Sequence, residues 1–333
     1  MQQRFPEFLK SAQQAMTYCQ VKPTDKVVVF ADSGRTQALV EAFYTAALAT
    51  GAETLLVTMP TAARPLLDPP APAVQAMAAA DVVFDLVTQP WLYTQATNTI
   101  LNSGTRMLQV LVGDNAIIAR PPDAAIAQRE ARARAILEGC QDFHITSKYG
   151  TDLHMARGDR PIHTQGGFVD RPGDWDSLAV CLAAFAPPED QADGPLALMG
   201  TMYLPPQHMF LIETPIQTVV KAGRMVHIET DHREARLFAD WLKGFNDPNS
   251  YVIAHTGFGI DHRATLQPPD MGEWESYLAG VNIAFGGNNI PQLGGQTVCK
   301  SHLDVVLLNV NLAVDGRPII ADGQFVPGLG FDS

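Results

Sequence analysis

Residues 25–60 read DKVVVFADSGRTQALVEAFYTAALATGAETLLVTMP. The apolar run VVVFA, closed by the turn-forming ADSG, predicts a buried strand. A helix follows with Leu39, Phe43, Ala46 and Ala47 on one face and Gly51 as its stop, and LLVTM then predicts a second buried strand. This is a βαβ unit, in which the helix returns the chain so that the two strands run parallel. The turn ADSGRT lacks the glycine spacing of a dinucleotide-binding fingerprint, so a nucleotide site gains little support.

Working outward, AMAAADVVFDLV (76–87) and TILNSGTRMLQVLV (99–112) repeat the helix-then-strand rhythm. Residues up to about 140 therefore predict an open, mostly parallel α/β sheet. From 142 the texture changes to a hairpin-like pair of short runs around Tyr149 and Gly150, and then to a β-rich remainder with a helix over 231–245. At 333 residues the chain exceeds the usual size of one hydrophobic core. Two domains are expected: an α/β N-terminal domain over 1–145 and a larger mixed, β-rich, metal-binding catalytic domain over 146–333. Pro187, Pro188 and the acidic stretch to Gly194 predict an exposed loop, and the long connections over 161–194 supply surface for self-association.

The formal charge of −12 and the absence of a basic block argue against nucleic acid and against a membrane or polyanion patch as partners. Cys19, Cys140, Cys181 and Cys299 are scattered with no CxxC pair, and no apolar run reaches the roughly 18 residues needed to span a bilayer. A reduced, cytoplasmic protein is expected.

The chemistry gathers in two strand-like runs, VIAHTGFGID (252–261) and CKSHLDVVLL (299–308). Side chains alternate along a strand, so His302 and Asp304 share a face while Leu303 and Val305 take the other. His255 arrives from the first run as a third donor. Two imidazoles and one carboxylate make the facial triad of mononuclear non-haem Fe(II) oxygenases, with positions left for substrate and dioxygen. A histidine in a strand is more often a hydrogen-bonded core or surface residue, and HxD arises by chance in many chains. The same donor set also suits Zn or Mn.

Resemblance to known families narrows the choice. SKYGTDLHMARGDRP (147–161) is similar to the GTDL hairpin of the aminopeptidase T-like metallopeptidases, and GGQTVCKSHLDVVLLNVNLAVDGRPII (294–320) resembles their HxD metal strand. Closer is the 2,5-dihydroxypyridine 5,6-dioxygenase family of the same fold. Its patterns SHxGWGLxPRA, GGKxxxxCHLD and EPGRWDH are similar to AHTGFGIDHRA (254–264), GGQTVCKSHLD (294–304) and RPGDWDS (171–177), in the same order along the chain. The aminopeptidases carry a glutamate where this chain has His255 and another where it reads LPPQHMF (204–210), so a two-metal centre is disfavoured.

The resemblance implies an aminopeptidase T-like fold and one Fe(II) per chain on His255, His302 and Asp304. It also implies ring-opening dioxygenation of a small hydroxylated N-heteroaromatic such as a dihydroxypyridine, with dioxygen as co-substrate, in a homo-oligomer serving aromatic catabolism. The alternative is a metallohydrolase, aminopeptidase- or amidase-like, using a metal-activated water. Each ligating imidazole should have its second ring nitrogen held by an acceptor. Positions matching the family's ring contacts differ here: Trp91 or Tyr93 and Ser177 replace histidines, and Gly286 replaces a serine. His163, absent from the family pattern, is read as a relocated acid/base, with a solvated loop histidine as the alternative. Tyr93 is also read as a catalytic group, and Trp91 and Tyr93 either wall the ring or simply pack. Arg263 either pairs with a substrate carboxylate or braces the TGFG turn. His154, His208 and His262 are read as structural.

Overall fold

The computed structural model describes residues 4–205 and 208–331. Contacts divide the chain into two compact units, one made of 1–127 with 165–180 and the other of 128–164 with 181–333.

In the first unit the opening stretch folds as read: strand Lys26–Asp32, helix Gln37–Ala49, a stop at Gly51 with φ +86, and strand Glu53–Met59 running parallel to the first. The rhythm continues with helix Ala71–Ala78 and strand Val82–Asp85, then helix Gln95–Asn102 and strand Arg106–Gln109, each strand parallel to its neighbour. Two expectations need correcting. Strand Glu53–Met59 is not buried, because it is the outermost strand of the sheet, and Leu55 is 51% exposed. The chain also returns to this unit after 164, where Trp175–Ser177 adds a fifth parallel strand beside Arg106–Gln109. A single boundary at 145/146 does not describe that excursion.

The second unit carries two larger sheets, one of eight strands and one of seven. The hairpin Phe143–Thr146 and Asp152–Met155 sits near the middle of the eight-stranded sheet. Its inward residues Phe143, Ile145, Leu153 and Met155 are buried while its other face is open to solvent. Phe143 meets Phe185 of the seven-stranded sheet edge-on, centroids 5.4 Å apart, which joins the two sheets through one apolar layer. The seven-stranded sheet places His302–Leu307, Val281–Gly286 and Ile253–Gly259 side by side at its centre. The stretch 161–194 is not a run of exposed connections: it holds strands His163–Gln165, Trp175–Ser177 and Leu182–Phe185, all buried.

Candidate metal centre

Strand Ile253–Gly259 is buried along its whole length and pairs antiparallel with Val281–Gly286, which pairs antiparallel with His302–Leu307. His255 faces Ala284, Ala284 faces Asp304, and Gly286 faces His302. The small side chain at 284 leaves room above the central strand, so groups from the strands either side can lean together over it. A register shift between Ile253 and His255 sets the histidine's direction, since a bulge rotates the side chains beyond it. Asn288 holds that bulge by donating from Nδ2 to the Ala254 carbonyl at 3.1 Å. Leu303 and Val305, on the opposite face of the His302 strand, are fully buried, as alternation requires.

The three side chains converge. His255 Nε2 and His302 Nε2 lie 3.3 and 3.4 Å from Asp304 Oδ1, and the donor atoms all fall within 4.8 Å of one another. Donors about 2.1 Å from one ion, at octahedral or tetrahedral angles, lie about 3.0–3.4 Å apart. Asp304 Oδ1 is buried yet has no well-aligned hydrogen-bond donor among the described residues, so both ring nitrogens and the oxygen face a common point rather than one another. A buried acceptor in that state favours a cation. The imidazole rings are 5.3 Å apart and inclined by 27°.

His302 Nδ1–H donates to the Gly287 carbonyl at 2.8 Å, which fixes the tautomer with the Nε2 lone pair toward Asp304. His255 departs from the expectation, because its Nδ1 is buried without a hydrogen-bond partner among the described residues. Burial is the main influence on His255 and lowers its pKa, favouring the neutral ring that a metal needs. Burial alone would raise Asp304, but the two imidazoles beside it outweigh that and hold the carboxyl below the usual range.

Two neighbours escaped the sequence reading. Glu275, on helix Met271–Ser276, lies beside Asp304, and burial together with the Asp304 charge pushes its carboxyl well above the ordinary value. Tyr203 stands opposite Asp304 on strand Gly200–Leu204, and its hydroxyl is likewise pushed up by burial and by Asp304. Strand register reveals Tyr203, and helix-on-strand packing reveals Glu275.

The remaining candidates are dispersed. His163 is 7% exposed, on a strand of the same seven-stranded sheet as His255, so it is not a solvated loop histidine. Gly286 has φ +110, and a Cβ there would run into the Ser301 carbonyl oxygen, so glycine is required by the backbone itself. Arg263 grips the fully buried Asp261 through Nε at 2.9 Å and a terminal nitrogen at 3.1 Å, the bracing role. Trp91, Tyr93 and Ser177 belong to the first unit. Trp91 is 1% exposed and packs edge-on against Phe30, centroids 6.3 Å apart. Tyr93 takes φ +58 in the loop after strand Val82–Asp85, and Ser177 ends the fifth parallel strand, 6% exposed. A cavity of about 660 Å³ in the second unit is lined by His262, Tyr277 and Phe325 but by none of the three converging residues. Of the LPPQHMF segment, Pro206 and Gln207 lie outside the described residues, and His208 is exposed at a strand start. None of the four cysteines forms a disulfide, and no helix among the described residues is long and apolar enough to cross a membrane.

Comparison with known proteins gives a consistent set of likenesses. The family model for NicX, 2,5-dihydroxypyridine 5,6-dioxygenase, matches residues 7–327. A 2,5-dihydroxypyridine 5,6-dioxygenase of Pseudomonas putida KT2440 is 29% identical over 261 residues, covering 76% of this chain and 73% of that protein. The solved structure of the 2,5-dihydroxypyridine dioxygenase from Pseudomonas putida KT2440 superposes with a TM-score of 0.87 at 24% identity, covering 98% of this chain and 99% of that one. The aminopeptidase AmpT from Thermus thermophilus superposes with a TM-score of 0.69 at 15% identity, covering 97% of this chain and 100% of that one, a likeness of fold alone.

Proposed function

The chain belongs to the 2,5-dihydroxypyridine 5,6-dioxygenase family, and from that premise we propose that it is an Fe(II)-dependent enzyme that opens the ring of a small hydroxylated N-heteroaromatic with dioxygen. The observation that carries this reading is the meeting of two imidazole nitrogens and one unsatisfied carboxylate oxygen at one buried point. The iron, one per chain, would supply adjacent positions for a ring oxygen and dioxygen, letting electron density pass from the ring to oxygen; Zn or Mn would suit the same donors.

The protein's share of the work follows from its own residues. Asp304 contributes the negative charge that two neutral rings lack, and His302 is held in the ligating tautomer by Gly287. Burial of His255 keeps its ring neutral and excludes bulk water. A ring hydroxyl would have to lose its proton to bind a metal there, and His163 is assigned as the base that takes it, with Tyr93 assigned as a second catalytic group. Trp91, Ser177, Gly286 and Arg263 are assigned to the substrate's surroundings. Of these, Arg263 acts through the Asp261 brace and Gly286 through the backbone approach that it permits. Both oxygen atoms end in the open product. The metallohydrolase alternative is not favoured, since the aminopeptidase likeness extends to fold alone. Four cysteines without a disulfide fit a reducing, cytoplasmic setting.

The replacements at Tyr93 or Trp91, Ser177 and Gly286 point to a ring other than unmodified 2,5-dihydroxypyridine. Lost polar contacts cost roughly 1–3 kcal/mol each, and two would weaken productive binding about a hundredfold. Anaerobically purified, iron-loaded protein and its His163→Ala variant are to be screened against hydroxypyridines and hydroxybenzenes, following oxygen uptake and loss of ring absorbance. Uptake coupled to ring loss, best with another substituted ring and reduced in His163→Ala, is expected. No oxygen uptake with any ring overturns the dioxygenase reading; 2,5-dihydroxypyridine as best substrate with His163→Ala unaffected overturns the relocated base.

A further inference from the structure

Away from the buried centre, the solvent face of the 143–155 hairpin carries a second group of ligand-type side chains. His144 and His154 are direct partners across the two strands, their rings stacked at 3.8 Å and inclined by only 11°. Asp152 precedes His154 by two residues and so shares its face. The ligating atoms of His144, Asp152 and His154 all lie within 4.8 Å of one another, with His144 Nε2 at 2.7 Å and His154 Nε2 at 3.9 Å from Asp152 Oδ1.

One feature separates this group from an ordinary patch of surface polar residues. Asp142 receives a hydrogen bond from His154 Nδ1 at 2.9 Å. A carboxylate only accepts, so Nδ1 carries the hydrogen and the Nε2 lone pair is left facing Asp152 and His144. This is the carboxylate–histidine pairing that orients metal-bound imidazoles elsewhere. The surroundings also favour a cation. Asp193 faces His154 on the other side in register, while Ala313 faces His144 and leaves that flank uncrowded.

We propose that His144, Asp152 and His154 form a surface site for a divalent transition-metal ion of the zinc, copper or nickel type, with Asp142 as the residue that positions His154. Two imidazoles and one carboxylate select that class over magnesium or calcium, and solvent completes the coordination. On binding, the ion takes the place of the hydrogen now shared between His144 Nε2 and Asp152, which moves to Nδ1. The ion then clips the two strands of the hairpin together, independently of the buried centre.

Zinc alone is the probe. Purified chain and the His144→Asn/His154→Asn variant, both also in an Asp304→Ala background, are dialysed against buffered zinc and their metal content measured. The variant should hold one zinc fewer per chain in both backgrounds, and Asp142→Asn should bind about 10–100-fold more weakly at the surface site. Equal zinc in parent and variant overturns the proposal. Should the double variant not fold, carbethoxylation of the parent, mapped by mass spectrometry, decides: zinc protects His144 and His154, and unchanged labelling of both overturns the site.

Discussion

Asp304 is the residue on which the buried centre turns, because it supplies the only negative charge among the three converging donors. Asp304→Ala is expected to abolish metal retention and turnover while leaving the circular dichroism spectrum unchanged; full iron content in the folded variant would contradict the assignment. A second residue carries a pH signature. Asp85 is wholly buried at the end of a central parallel strand, and burial, opposed by hydrogen bonds from Gln109 and Val87, pushes its carboxyl up to about 7 from 3.8. Between those values the unfolded chain has lost the proton that the folded one keeps, so stability falls as pH rises and the loss is complete above about 7. The displacement is worth on the order of 4 kcal/mol. Thermal melts of Asp85→Asn against the parent should show the variant gaining relative stability from pH 4 to pH 8; a difference independent of pH would contradict this. At this scale the triad was legible because strand alternation places His302 and Asp304 on one face. Glu275 was not, since it reaches Asp304 from a helix packed on that strand, a contact no local pattern encodes.

Among the elements, the βαβ opening, the 143–155 hairpin and the helix Arg233–Gly244 were all readable from periodicity and turn residues. The three-residue strand Trp175–Ser177 was not, being too short to show a period and joined to its partner across more than sixty residues of chain. The same limit hid the bulge at Ile253–His255 that directs the histidine. Gly286 shows how tightly the central strands are drawn together: any side chain there meets the Ser301 carbonyl and must hold φ +110. Gly286→Ser, the residue implied by the family pattern, should therefore cost more than about 2 kcal/mol, a fall of several degrees in melting temperature. An unchanged melt would mean that the strand pair can yield.

For the whole molecule, the 161–194 stretch, largely taken up in buried strands, offers little surface for the self-association expected of it. Leu55 and Leu56 on the outer strand of the first sheet, and Leu48 on the helix before it, are each exposed, at 51%, 36% and 49%. An open edge carrying leucines is a surface that natural proteins usually cover. A symmetric homo-oligomer is expected in light scattering, with Leu55→Lys/Leu56→Lys shifting it toward monomer; a monomeric parent at micromolar concentration would contradict this. Ring opening by dioxygen at the proposed His255, His302 and Asp304 centre is tested by turnover of the best hydroxypyridine under isotopically labelled dioxygen, read by mass spectrometry of the ring-opened product. Both labelled atoms are expected in the product, and no product from Asp304→Ala; a product labelled from water instead would contradict a dioxygenase.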